Sequence, residues 1–434
     1  MSFSQLGSAA RQIARGLVAV MLLAIAARAD DSESWPQWGG PQGNFRVEGA
    51  ELADSWPAEG PPRLWARELG DGHSAIVVAG ARLYTQYRPR RDVAEGEFAD
   101  REAVIALDAE TGARLWEAHY PSEPMDFTYG AGPHSTPLVA DDRVFAVSTR
   151  KRLSAFEATS GQPAWSRDLV AELGAPPTLI RPVVKAGYGP SPVAWEDLVI
   201  VTVGGKGQAV VAFRQDTGEI AWRSGDFLIS PSTPLLIELD GDEQLVIFAS
   251  DTVHGLDPSS GEVLWSHPHL TEADMNISTP VWGADGILFL SSAFDGGSQA
   301  LRLRQIDGAT RVEKLWYTTE FRIMFGSAVR VGDLVYGSSG DLGPSFVGAV
   351  NVRTGKVAFR QRGFARANFL YADSKLVALD EDGVLSLSAP GPAGIETLSR
   401  IELLDTVSWT VPTLAGTVLY VRDRSRIMAL DLGR

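Results

Sequence analysis

The residues able to do chemistry in this 434-residue chain are sparse and mostly poorly grouped: six histidines, no cysteine, and carboxylates spread along the whole length. His267-Pro268-His269 brings two imidazoles together just after Trp265 but has no third ligand nearby, so it lacks a zinc-site donor set. Asp240-Gly241-Asp242-Glu243 has the opening of a calcium loop without its remainder or its terminal bidentate glutamate, which predicts a charged hairpin tip. Gly204-Gly205-Lys206-Gly207 falls between two strands, whereas a phosphate loop needs a helix N-terminus there. No G-x-S-x-G stands on a strand-to-helix turn. The absence of Cys excludes disulfides, thiolate metal sites, iron–sulfur clusters and a thiol nucleophile. What remains is a dispersed set. When the Ser/Thr-x-Pro signatures of the chain are aligned, His73, His134, Gly189, Pro231, Ile277, Phe325, Arg366 and Trp409 fall at equivalent positions.

Those signatures belong to a repeat, and the repeat is what positions the set. Its clearest copy is Ala103-Val104-Ile105-Ala106-Leu107-Asp108-Ala109-Glu110-Thr111-Gly112-Ala113-Arg114-Leu115-Trp116. An apolar run of about five residues reads as a buried strand. Asp and Thr side chains bond their own backbone in the following turn, and Gly accepts the positive φ of a tight hairpin. The same Gly-to-aromatic spacing recurs at Gly161/Trp165, Gly218/Trp222, Gly261/Trp265 and Gly355/Phe359. Trp316 ends a copy with a longer turn, and Leu398 ends a degenerate one. Upstream of most copies lie Ser/Thr-x-Pro and two further short apolar runs, as in Ser135-Thr136-Pro137 and Ser278-Thr279-Pro280.

One unit is therefore a meander of four strands, and a series of such units predicts an all-β, eight-bladed propeller. Seven blades close at 116, 165, 222, 265, 316, 359 and 398. The eighth is divided: the C-terminal segment stops before its Thr-Gly and Trp, and Leu64-Trp65-Ala66-Arg67 supplies the outer strand. Head and tail then share a sheet and close the ring. Trp65, Trp116, Trp165, Trp222, Trp265, Trp316 and Phe359 are expected to dock each blade on the next. In this architecture the loops entering the innermost strands meet around the channel mouth, which makes His73, His134, Arg181, Lys185, Tyr188, Asn276, Arg322, Arg366 and Trp409 the candidate ligand-binding rim. Such a rim forms a local positive cluster suited to an anionic ligand or an acidic peptide.

Residues 1–29 read as an export signal. Arg11 and Arg15 precede the apolar run Leu17 to Ala27, and Ala27-Arg28-Ala29 offers a cleavage site. The run is short of the roughly 20 residues that span a bilayer. Residues 30–62, with Trp35-Pro36-Gln37-Trp38 and Trp56-Pro57, read as an extended arm lying on the domain, and 63–434 as the propeller. With 54 acidic against 39 basic residues the formal charge is −15, so no chain-wide basic field is available for nucleic acid or an anionic membrane.

The A-x-D-x-x-T-G-x-x-x-W signature resembles the pyrrolo-quinoline quinone (PQQ) repeat. That family includes eight-bladed quinoprotein dehydrogenases and the propeller lipoprotein of the bacterial barrel-assembly machinery. Trp35-Pro36-Gln37-Trp38-Gly39-Gly40-Pro41 and Ser408-Trp409-Thr410-Val411-Pro412 are similar to the two ends of exported PQQ-like propellers. The resemblance implies a periplasmic or extracellular protein. A quinoprotein would need PQQ with Ca²⁺, a catalytic Asp, Arg or Lys on the quinone oxygens and an aromatic platform, and no segment matches the Asp or the metal ligands. The expectation is a non-catalytic binding or scaffolding propeller with no cofactor, monomeric by default, with a protein partner in the cell envelope or a small anionic ligand. A PQQ-dependent dehydrogenase with a disulfide-free site is the alternative.

Overall fold

Each copy of the motif folds as a four-stranded antiparallel meander, and eight such sheets stand around one axis. The computed structural model describes residues 33–92, 97–177, 179–180, 185–341 and 343–434; the expected signal segment 1–29 and Arg181 lie outside them. Blades 1 to 7 occupy 77–121, 138–168, 193–224, 235–268, 281–318, 329–361 and 367–402. Blade 8 combines three strands of 413–431 with Arg63–Glu68, which pairs antiparallel with Arg426–Asp431 and closes the ring. The inner strands carry the burial; in blade 3 every residue of the second strand, Leu198–Thr202, is enclosed. Because strands alternate in direction, the inter-blade loops share one face, the loop face, and the Asp-x-x-Thr-Gly turns lie on the other.

The turn motif joins neighbours through two contacts at once. Indole N–H groups donate to the next blade's turn: Trp65 to the Ala109 carbonyl (3.0 Å), Trp116 to Ala158 (2.9 Å), Trp165 to Gln215 (2.9 Å), Trp222 to Pro258 (3.0 Å) and Trp316 to Val352 (2.7 Å). The motif glycine lies under the same indole. At Gly161, with φ 70°, a Cβ would stand 2.5 Å from the Trp116 ring. Glycine is required there for the left-handed backbone and again for the close approach.

Where the motif lapses, the contact changes. Blade 5 has the longer turn, and Trp265 bonds Gln244 Oε1 of its own blade (2.7 Å) while Gln244 Nε2 reaches Thr310 of blade 5 (2.7 Å). Phe359 has no N–H, and Gln361 makes reciprocal bonds with the Ile395 backbone (3.1 and 3.0 Å).

The Ser/Thr-x-Pro signature makes a second belt, nearer the axis. Thr136 Oγ1 accepts Ala75 N–H of blade 1, Ser191 Oγ accepts Thr136 N–H, and Thr233 Oγ1 accepts Ser191 N–H, each at 3.0 Å. Ser232 donates to Ser278 O (2.9 Å); Ser327, in a copy without the proline, donates to Phe369 O (2.6 Å), and Thr413, just after Pro412, donates to Ile76 O (2.6 Å). Short hydroxyl side chains thus satisfy buried backbone groups across the blade gaps, while proline removes an N–H that would have no partner there.

The arm threads the channel instead of lying outside it. Trp35 exchanges backbone hydrogen bonds with Val78 (2.8 Å each), and Pro36 O accepts Val139 N–H (2.8 Å). The chain reverses through Gly39 (φ 79°), where a Cβ would meet the Gly43 backbone at 2.7 Å. Arg46–Val47 then pairs parallel with Tyr371 and Ala372 as a fifth strand of blade 7. Trp35 and Phe45 are 2% exposed, so the channel supplies the burial that these large apolar rings demand. Beyond it, Ala53 N–H bonds Leu432 O (2.8 Å) and Trp56 N–H bonds Ser399 Oγ (2.7 Å), bracing blades 7 and 8 where Leu398 provides no indole.

Candidate functional site: a blind cup in the channel

With the arm in place, the channel becomes a cup. Trp38 forms its floor, held by its indole N–H on Thr279 Oγ1 (2.9 Å). Above it lies a cavity of about 140 Å³ lined by His73, His134, Gly189, Pro231, Ile277, Phe325 and Trp409, seven of the eight positions equivalent in the sequence. Each enters the cup because its loop leads directly into an innermost strand. Tyr129, from the loop between blades 1 and 2, completes the mouth; it packs edge-on to Trp409 (5.2 Å between centroids, 80°) and Phe325 (6.2 Å, 68°). Phe325 and Trp409 are also edge-on (5.4 Å, 69°), the geometry aromatic quadrupoles favour.

The electrostatics are those of a neutral site. His73 Nε2 donates to Tyr129 O (3.0 Å), which fixes the tautomer and leaves Nδ1 as an acceptor, buried and without a partner. Burial, reinforced by the adjacent His134, depresses the His73 pKa well below its ordinary value. Burial also brings His134 down to about 4. Beside them, burial alone would raise the Asp71 carboxyl, but Arg424, bonded at 2.5 and 3.1 Å, holds it below the usual range. Among the described residues, no Asp, Glu, Lys or Arg lines the cavity.

The other rim residues are placed differently. Arg366 stands at the edge, with Cζ 5.0 Å from the Phe325 centroid and Nη1 3.1 Å from Glu381, the carboxylate that also accepts the Trp409 indole N–H (2.9 Å). Arg322 is held between Asp295 (2.8 Å) and Asp341 (2.9 Å). Lys185 is exposed on the short strand Lys185–Ala186, whose Ala186 faces the cavity. Tyr188 is fully buried among blades 2 and 3, its hydroxyl 3.4 Å from Thr202. Asn276 is enclosed below the loops, donating to Ala249 O (2.6 Å). Asp240 and Asp242 accept bonds from Gln305 of blade 5 (3.1 and 3.3 Å), and His269 Nδ1 accepts one from Gln299 (2.9 Å).

Of the cationic rim expected from the sequence, Arg322 and Arg366 are paired with carboxylates and burial favours the neutral form of both imidazoles, while Lys185 stays exposed and Arg181 lies outside the described residues. Sequence reasoning also missed Tyr129 and the role of Trp38. The Trp35-Pro36-Gln37-Trp38 segment flagged itself, but only the folded ring supplies the blind channel that receives it.

Ring closure, the Trp docking and a plugged axis define an eight-bladed propeller of the PQQ-repeat class. A family model described as outer membrane protein assembly factor BamB matches residues 100–361, and the chain belongs to that family. It is 23% identical over 372 residues to the BamB protein of Yersinia pestis, covering 84% of this chain and 76% of that one. Among solved structures it is similar to BamB from Moraxella catarrhalis (TM-score 0.60, 16% identity, 86% of this chain and 99% of that one). It is also similar to the quinohemoprotein alcohol dehydrogenase of Comamonas testosteroni (TM-score 0.65, 12% identity, 94% and 82%). At these identities the likeness to solved structures is one of fold. Among the described residues, no helix is long and apolar enough to cross a membrane.

Proposed function

We propose that this protein is a non-catalytic docking propeller of the cell envelope that holds a protein partner on its loop face, in the service of outer-membrane protein assembly. The observation that carries the reading is the face itself: a blind cup with an aromatic mouth, flanked by inter-blade loops that leave Leu228 62% and Leu270 69% exposed. Exposed leucines beside an aromatic cluster are the makings of a protein interface. Membership of the BamB family supports the setting.

The dehydrogenase alternative fits the cup poorly. PQQ is a three-ring tricarboxylate, and among the described residues the cavity has neither a cation to receive it nor a carboxylate to share calcium with it. Among the described residues no group of three or more His, Asp or Glu is placed to hold a metal ion. Asp71, beside His73, and Glu381, bonded to the Trp409 indole, are engaged by Arg424 and Arg366.

The test is a photo-crosslinking amino acid placed in cells at Leu228, Leu270 or, as a control on the turn side of blade 3, Ile220. The expected result is one discrete adduct from 228 and 270, containing a component of outer-membrane assembly, and none from 220. No adduct, or the same pattern at all three sites, overturns the reading.

A further inference from the structure

Among the described residues lining the cup, one buried side-chain nitrogen has no hydrogen-bond partner, and it narrows what the cup binds. His73 is 8% exposed and lines the cavity, and its Nδ1 has no hydrogen-bond partner. Its Nε2–H is committed to Tyr129 O at 3.0 Å, so Nδ1 presents a lone pair and requires a donor. A buried acceptor left unmatched is costly, and native structures rarely keep one without a use.

The surroundings narrow the class. Among the described residues neither a cation nor a carboxylate lines the walls, so a charged guest would lose its hydration without compensation from them. A cationic guest is further disfavoured because the Arg366 guanidinium already covers Phe325. Tyr129, Phe325 and Trp409 offer edges and faces to another ring. Gly189 stands at the wall without a side chain. A cavity of about 150 Å³ with apolar walls accommodates a benzene-sized ring, and this one is about 140 Å³.

We propose that the cup is a binding site for a neutral phenol, its ring enclosed by Tyr129, Phe325 and Trp409 above Trp38 and its hydroxyl donating to His73 Nδ1. The phenol is either a free small molecule or a tyrosine side chain presented by a polypeptide. The chemistry of recognition is the same, and it stands whether or not Leu228 and Leu270 form a protein interface.

The test uses the full chain and ligand-observed NMR titrations with p-cresol, toluene and N-acetyl-tyrosinamide. Saturable p-cresol binding is expected, with toluene about three- to ten-fold weaker for want of one hydrogen bond. His73→Phe is expected to reduce p-cresol to the level of toluene. Gly189→Leu is expected to abolish both by filling the cavity. That substitution is sterically mild: Gly189 is outside the left-handed region, and a Cβ there meets only Pro231 Cβ at 3.6 Å. N-acetyl-tyrosinamide binding at least as tightly as p-cresol identifies a side chain as the source, and its rejection identifies a free phenol.

Equal affinity for toluene and p-cresol overturns the proposal, as does p-cresol binding that survives Gly189→Leu. Absence of saturable p-cresol binding overturns it too and leaves Nδ1 to a water. Should His73→Phe fail to fold, the p-cresol-to-toluene ratio of the unaltered protein and the Gly189→Leu result still decide.

Discussion

His134 and His269 have imidazole pKa values brought down to about 4, chiefly by burial, against an ordinary 6.5. The unfolded chain therefore takes up these protons first as the pH falls. Stability contributed by the neutral rings is complete above about pH 6.5, declines through the interval down to about 4, and levels off below. The slope is at most about 1.4 kcal/mol per pH unit for each imidazole. Urea denaturation at pH 7.5, 5.5 and 4.5 checks this: the midpoint should drop over that interval, and the drop should shrink in a His269→Gln variant. At this scale the sequence was informative where residues sit at fixed offsets from a repeat landmark. His73, His134 and Trp409 could be aligned through Ser/Thr-x-Pro, and they do meet in the cup. Tyr188 could not be judged that way, because its loop turns it inward between blades instead of toward the axis.

Between neighbouring blades, the decisive unit is the pair of motif glycine and preceding indole. Trp116 is 8% exposed, and its removal to Ala should cost about 3–5 kcal/mol. Gly161→Ala combines a left-handed backbone (φ 70°) with a clash at 2.5 Å, whereas Gly241→Ala has φ 92° and nothing within 4 Å of the new Cβ. The second substitution should cost about 1 kcal/mol and the first clearly more. In a Trp116→Ala background the Gly161→Ala penalty should fall to the Gly241 level, as a double-mutant cycle in denaturant would report. Equal penalties in both backgrounds would mean that the indole does not need the bare Cα. This docking was readable because glycine and aromatic fall four residues apart in every good copy. The relay from Trp265 through Gln244 was not, since it depends on a longer hairpin in the next blade and on a side chain far away in sequence.

Across the whole ring, closure rests on one antiparallel pairing between Arg63–Glu68 and Arg426–Asp431. A chain beginning at Pro62 keeps that pairing and loses the plug, the fifth strand of blade 7 and the braces at Ala53 and Trp56; one beginning at Leu69 leaves Arg426–Asp431 as a bare sheet edge. The first should unfold in one cooperative step, and the second should self-associate and lose cooperativity, as light scattering and denaturant slopes would record. Closure was legible because the motif breaks off at Leu432 and resumes at Trp65; the course of the arm was not, because a channel exists only once all sectors stand. That dependence has a consequence for biogenesis. Trp35, Trp38 and Phe45 precede every sector in the polypeptide, yet their seats are built from blades 1, 2, 5 and 7, so the segment synthesised earliest settles latest. Until the final sector is complete, three bare aromatic rings face solvent, and the duration of that interval sets how long the nascent molecule is open to chaperones and proteases.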